Sequence, residues 1–300
     1  MTATIAYVGL GAMGAPMTKR LAAANPDRVW CYDADPRVSQ RVATESGAKA
    51  ARDIAELAAH CNYIVSCVPD DAAVREVYLG AGGVASGARP GAVTIDCSTV
   101  SPNVSREVYA GLKRRGMSHL DASMLGSVRQ ANEGTISFVV GGDDDAFEKA
   151  RPVLAAVGQM IWHVGASGAG NQMKLVHQVL VAGHAVAVAE ALALCLASGT
   201  DIETFYDVVT KGTGMAYSRF FEYRVPRMRG GDFSPQFMLK FMAKDARLAR
   251  SMAPELTGRL PLLDAVIATL EEGEAAGWGG DDFSAAMKVL ERRIGRGVRK

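Results

Sequence analysis

I5-A-Y-V-G-L-G-A-M-G-A-P-M17 is the stretch that decides the fold. Four strand-favouring residues run into G9-L-G-A-M-G14, a G-x-G-x-x-G, and from Met13 to Ala24 the spacing of apolar residues becomes helical. Glycines at 9, 11 and 14 permit a tight strand-to-helix turn and let a pyrophosphate approach the backbone. The helix N-terminus then offers N–H groups and the positive end of its dipole to an anion. In a chain with 32 glycines the spacing alone is weak. Its place between a strand and a helix strengthens it, as does a second strand ending at Tyr32-Asp33 about 20 residues on. Asp33 is positioned to accept the ribose hydroxyls of an adenosine and to repel a 2′-phosphate, which favours NAD; Arg37 nearby leaves NADP possible. The competing reading of the same residues is a glycine turn with no ligand.

Outward from this unit, short β-rich runs alternate with longer helical ones. Strands are expected at 5–8, 29–32, 63–68, 93–97, 119–122, 136–140 and 161–164, with helices at 13–24, 36–45, 73–78, 101–115 and 146–157. Such alternation predicts an α/β fold, a Rossmann-like doubly wound and mostly parallel sheet. Past Ala166 the β signal stops. Helices are expected at 171–198, 202–210, 218–227, 238–253, 260–272 and 283–293. The change of composition divides the chain into a cofactor domain, 1–165, and an all-helical domain, 166–300, joined by a long helix. The strand ends Val68-Pro69 and Ser98-Thr99 would face the crevice of such a sheet. Ser101-Pro102 is also an ordinary helix start, so capping and cofactor contact compete there.

The composition limits the partners. Lys plus Arg is 33 against 32 Asp plus Glu, and the net charge of +1 gives no reason to expect nucleic acid or a membrane surface. The hydrophobic fraction of 49% is that of a globular protein. The apolar run after Lys174 is interrupted by His184 and Glu190, so it reads as a buried helix and not a membrane span. Cys31, Cys61, Cys67, Cys97 and Cys195 fit no zinc spacing and sit mostly in apolar runs, as core residues of a reducing compartment would. No metal site is expected. With no basic leader segment at the N-terminus, a cytoplasmic protein is expected. The basic end, R292-R-I-G-R-G-V-R-K300, reads as a frayed, solvated tail.

Six motifs follow one another in register: GLGAMGAPM from Gly9, SCVPD from Ser66, DCSTVSP from Asp96, DASMLGS from Asp121, GASGAGNQMK from Gly165 and AKD from Ala243. In order and spacing the chain resembles the β-hydroxyacid dehydrogenases, the group of 3-hydroxyisobutyrate dehydrogenase and tartronate semialdehyde reductase, over nearly its whole length. The resemblance implies an active site in the cleft between the two domains, reversible hydride transfer between a nicotinamide cofactor and a small anionic β-hydroxy acid, and a homodimer or homotetramer. It implies that Lys174 is the catalytic lysine. It further implies that Leu10, Met13, Asp33, Val68, Pro69, Ala73, Thr99 and Lys244 contact the cofactor, and that the loop at Gly126, with Ser123, Leu125 and Ser127, holds the substrate carboxylate. Lys174 also suits the chemistry by itself. Oxidation of a secondary alcohol needs a group to take the hydroxyl proton, and burial moves a lysine from about 10.4 toward neutrality.

The chain departs from the family pattern in three places. Leu125 stands where a serine hydroxyl is usual. His177 and Gln178, at i+3 and i+4 from Lys174, replace two asparagines on the lysine's helix face. The pair is similar to that of members acting on polyhydroxylated acids of the threonate type; the competing reading makes His177 a satisfied core histidine. Lys240 and Arg247 extend the face of Lys244 as a basic stripe or as a solvated helix face. Two alternatives of function stand beside the main one: an NADPH-dependent reductase of small aldehyde acids such as glyoxylate or succinic semialdehyde, and a non-catalytic dinucleotide-binding protein.

Overall fold

The computed structural model describes residues 4–298. The chain divides into two compact units, Met1–Lys174 and Leu175–Lys300.

The first unit is built on β1 (Ile5–Val8), β2 (Val29–Tyr32), β3 (Lys49–Ala50), β4 (Tyr63–Ser66), β5 (Val93–Asp96), β6 (Ser118–Leu125), β7 (Ile136–Gly141) and β8 (Gly158–Gly165). They form one sheet in the order β3-β2-β1-β4-β5-β6-β7-β8. All neighbours are parallel except β6 and β7. The chain starts in mid-sheet, moves outward to β3, then returns to β4 on the other side of β1. The order therefore reverses between β1 and β4, and the crevice at their carboxyl ends is where such a sheet takes a ligand.

Alternation along each strand supplies both faces with core. Ile5 and Tyr7 pack on one side with Met17 and Leu21 of the helix Gly14–Ala24. Ala6 and Val8 pack on the other with Leu57, Val77 and Val108, from the helices Ile54–His60, Asp71–Leu79 and Pro102–Lys113. A fully buried Leu contributes roughly 1.5–3 kcal/mol relative to exposure, so the two faces hold the sheet as a rigid platform.

The expected strands are all present. Absent from the sequence reading are β3, whose two residues are both exposed, and the short helices Ile54–His60, Val84–Gly87 and Val128–Glu133. One expectation needs correcting. Ser123–Leu125 is not loop but the continuation of the expected strand as the end of β6, paired with β7 as Ser123↔Val139 and Leu125↔Ser137; the loop begins at Gly126.

The second unit is helical, comprising Ile202–Lys211, Arg219–Arg229, Leu239–Ser251, Pro261–Ala275 and Ala286–Ile294 around a core that includes Leu192, Phe221, Met242, Leu270 and Met287. The tail is not frayed as far as it is described. Val298 is 4% exposed and donates its N–H to Glu291 Oε1 at 2.6 Å. Arg299 and Lys300 lie outside the described residues. The helix Ala169–Ser198 runs from one unit into the other. Among the described residues it is the one helix long and apolar enough to cross a membrane, with 44% of its apolar window buried. It is a half-buried helix, not the fully buried one expected. Val176, Leu180 and Leu194 stand exposed along it.

Candidate active site

At the switch point the three glycines act differently. Gly9 has φ +89°, and a Cβ there would lie 2.2 Å from the Cys67 carbonyl oxygen; one on Gly14 would lie 1.9 Å from the Gly9 oxygen. These two fold the turn. A Cβ on Gly11 would meet nothing within 4 Å, so its absent side chain leaves open room. The helix Gly14–Ala24 begins at Met13 with no side-chain cap and no acidic residue in its first turn. An uncapped N-terminus facing open space fits a pyrophosphate. Beside it lies a hollow of about 480 Å³ lined by Gly11, Ala12, Ala15, Asp33, Val38 and Arg41. Asp33 also shapes the turn. Its Oδ2 accepts the Leu10 N–H at 2.8 Å and its Oδ1 the Asp35 N–H at 3.0 Å.

The neighbouring strand ends are drawn together by a residue the sequence reading passed over. Buried Asp96 accepts through Oδ1 from Ser66 Oγ at 2.8 Å and from Ser98 Oγ at 2.6 Å, and Ser98 Oγ accepts the Val68 N–H at 2.9 Å. Its signal was the Asp in D96-C-S98, a carboxylate in an otherwise apolar strand. Pro69 follows Val68, and Asp70 then caps the next helix by accepting the Ala73 N–H at 2.9 Å. The helix-start signal near Thr99 belongs to Ser101, which caps Pro102–Lys113 and binds Asp71 through its N–H and Oγ. Thr99 lies two residues before the cap and three past the end of β5, half-buried.

The segment G165-A-S-G-A-G-N-Q-M-K174 is a mount for its lysine. Gly165 and Gly168 adopt φ +137° and +90°. A Cβ on Gly170 would lie 2.3 Å from the Asp121 carbonyl oxygen and 2.7 Å from that of Val139, so only glycine lets this helix start rest on β6 and β7. The carboxylate of Asp121, buried in β6, accepts the N–H groups of Gly168 at 2.7 Å and Asn171 at 2.8 Å. Burial holds its pKa up at about 6 despite those two donors. Asn171, fully buried one turn before the lysine, accepts from the Val100 N–H at 3.1 Å and Ser123 Oγ at 3.0 Å, and donates to Ser105 Oγ at 3.0 Å. Neither Asp121 nor Asn171 was singled out from sequence, though both stand inside quoted motifs. Lys174 follows at 8% exposure, a rare burial for a lysine.

Ser123 is thus fully buried and committed to Asn171. Leu125 closes β6, half-buried, and Gly126 turns the chain at φ +150°. Ser127 caps the helix Val128–Glu133. Its N–H and its Oγ both donate to Gln130 Oε1, at 2.9 and 2.6 Å.

In the second unit, Gln178 is buried and its Nε2 donates to Asp245 Oδ2 at 2.8 Å. Lys244 Nζ lies 3.3 Å from the other oxygen of the same carboxylate. His177 is exposed, which sets aside the core-histidine reading. The basic stripe resolves into separate contacts. Lys240 lies over the Phe241 ring at 5.2 Å, and Arg247 pairs with Glu274 at 2.9 Å and Glu271 at 3.3 Å, as a clamp between helices.

Comparisons with known proteins agree with this arrangement. Residues 4–165 match the family model of the NAD binding domain of 6-phosphogluconate dehydrogenase. Residues 168–290 match that of the NAD-binding domain of NADP-dependent 3-hydroxyisobutyrate dehydrogenase. The chain is 33% identical to 2-(hydroxymethyl)glutarate dehydrogenase of Eubacterium barkeri, covering 98% of this chain and 97% of the relative. It is 33% identical to L-threonate dehydrogenase of Cupriavidus necator, with 97% of each covered. The structure of Mycobacterium tuberculosis 3-hydroxyisobutyrate dehydrogenase with L-serine superposes with a TM-score of 0.85 at 32% identity, over 97% of this chain and 99% of that one. With a nucleotide-binding turn at the switch point, a buried lysine at the start of the long helix and relatives matched from end to end, the chain belongs to the β-hydroxyacid dehydrogenases, NAD(P)-dependent enzymes acting on CH–OH groups.

Proposed function

We propose that the protein transfers a hydride between NAD, in preference to NADP, and a small β-hydroxy acid, with Lys174 as the general acid/base. The observation that carries this is the burial of Lys174 on a helix start fixed by Asp121 and Asn171. The bound nicotinamide supplies the hydride acceptor. The protein's part is to hold the alcohol and move its proton: Lys174 Nζ takes it in oxidation and returns it in reduction. The backbone at Gly126 holds the substrate carboxylate, Leu125 borders it, and Ser123 acts by fixing Asn171. Residues 1–165 serve the cofactor and hold the substrate carboxylate at Gly126, and 166–300 supply the rest of the substrate cleft and the assembly surface. Val176, Leu180 and Leu194, exposed on a helix whose most apolar 18-residue window has a mean hydropathy of 2.1, support burial against a second copy, a homodimer or homotetramer. A single-chain mass in solution light scattering would reject that assembly. The five cysteines, with no disulfide among the described residues, suit the cytoplasm.

His177 and Gln178 lie on the helix face of Lys174, and the similarity to an L-threonate dehydrogenase supports a polyhydroxylated acid as substrate. The test is NAD⁺ reduction by the purified chain across 3-hydroxyisobutyrate, glycerate, threonate and erythronate. Threonate-type acids are expected to lead. Turnover of 3-hydroxyisobutyrate alone would assign the pocket to Leu125 and leave His177 without a substrate role.

A further inference from the structure

Two arginines follow Asp33 on the helix Pro36–Ser46, and they are used differently. Arg37 folds back on its own cap: Nε donates to Asp35 Oδ1 at 3.0 Å and Nη2 to Asp35 Oδ2 at 2.8 Å, with the side chain 91% exposed. One turn on, Arg41 joins Val38 in lining the hollow that Asp33 also lines. Its ion pair with Glu45 is 3.5 Å long between half-exposed groups, the kind of contact an incoming anion displaces at small cost. Asp33 itself is partly spent on the N–H groups of Leu10 and Asp35, which draw on the charge that would repel a phosphate.

We infer that Arg41, and not Arg37, is the residue through which the adenosine end of this site takes a 2′-phosphate, so that the chain accepts NADP(H) besides NAD(H). This rests on the dinucleotide reading of the glycine turn. Asp33 receives a ribose 2′-hydroxyl; when a phosphate stands there, the guanidinium of Arg41 supplies charge-assisted hydrogen bonds that offset the carboxylate.

The experiment is calorimetric titration of the full chain with 5′-AMP and with adenosine 2′,5′-bisphosphate, fragments that read the adenosine end without any turnover. The wild type is expected to bind both, within about tenfold of each other. Arg41→Gln should weaken the bisphosphate by about tenfold or more and leave 5′-AMP within twofold, as loss of a charge-assisted contact implies. Arg37→Gln should change neither by more than twofold. An unchanged ratio in Arg41→Gln overturns the inference, as does a loss produced by Arg37→Gln instead, or a wild type that binds 5′-AMP but not the bisphosphate. A wild type that binds neither fragment overturns the dinucleotide reading with it.

Discussion

Two helix starts in the first unit face the same physical problem and solve it in opposite ways. Each leaves N–H groups without a partner in its own helix. At Gly14–Ala24 no side chain caps them and no acidic residue enters the first turn. At Ala169–Ser198 the protein supplies its own anion, Asp121, to the N–H groups of Gly168 and Asn171. One start is left open for a ligand; the other is plugged, and the plug fixes the register of Lys174. The contrast teaches that a glycine-rich helix start has two uses, and that the partner of its N–H groups decides between them.

The comparison breaks first at the lysine. Lys174→Ala is expected to lower kcat/KM by about 10²–10⁴-fold, the usual worth of a positioned acid/base, while NADH binding by fluorescence stays within threefold. Turnover unchanged to within a factor of a few would remove Lys174 from the mechanism. Next comes the mount itself. Gly170→Ala drives a methyl into the backbone oxygens of Asp121 and Val139. Overpacking against backbone that cannot yield costs about 3 kcal/mol or more, and urea unfolding should show the loss directly. A Gly170→Ala chain as stable as the wild type would mean that this helix start does not rest on the sheet.

How much of this could be read from sequence follows from the range of each interaction. The open start was legible because its parts are local: strand, glycines, helix and Asp33 fall within some thirty residues. The family register likewise placed Lys174. What escaped was long-range. Asp121 reaches Asn171 across fifty positions, Asn171 reaches Val100 across seventy-one, and no periodicity marks such pairs. Exposure that depends on helix phase was left open by the sequence. His177 is exposed while Gln178, its neighbour in sequence, is buried. β3 was missed because two exposed residues at a sheet edge carry no apolar alternation.

A smaller effect sharpens the plugged side. Asp121 has a folded pKa of about 6 against 3.8. A carboxyl raised in this way adds stability that is full below pH 4 and declines as pH rises to about 6, by up to about 3 kcal/mol. His119, which burial holds down at about 3, gives the opposite slope over the same range. The difference between wild type and Asp121→Asn isolates the carboxylate. Measured by urea unfolding from pH 4 to 7, the stability advantage of the wild type should shrink with rising pH and level off above about 6. A constant difference would mean that Asp121 does not titrate in that window.

The open side gives the mildest and most selective test. A methyl on Gly11 meets nothing within 4 Å, and its φ lies outside the left-handed region, so Gly11→Ala should fold with its stability within about 1 kcal/mol of wild type or slightly raised, because alanine restricts the unfolded chain. On the proposed reading of the glycine turn, the methyl nevertheless occupies room that the pyrophosphate needs beside the helix start. NADH affinity should fall about tenfold, some 1.4 kcal/mol, with KM for the hydroxy acid unchanged at saturating cofactor. Set beside Gly170→Ala, this separates the two starts by kind: one glycine substitution costs binding without stability, the other stability first. If Gly11→Ala binds NADH as the wild type does, the room beside the turn is not where the pyrophosphate lies, and the uncapped N–H groups of Gly14–Ala24 lose their assigned ligand.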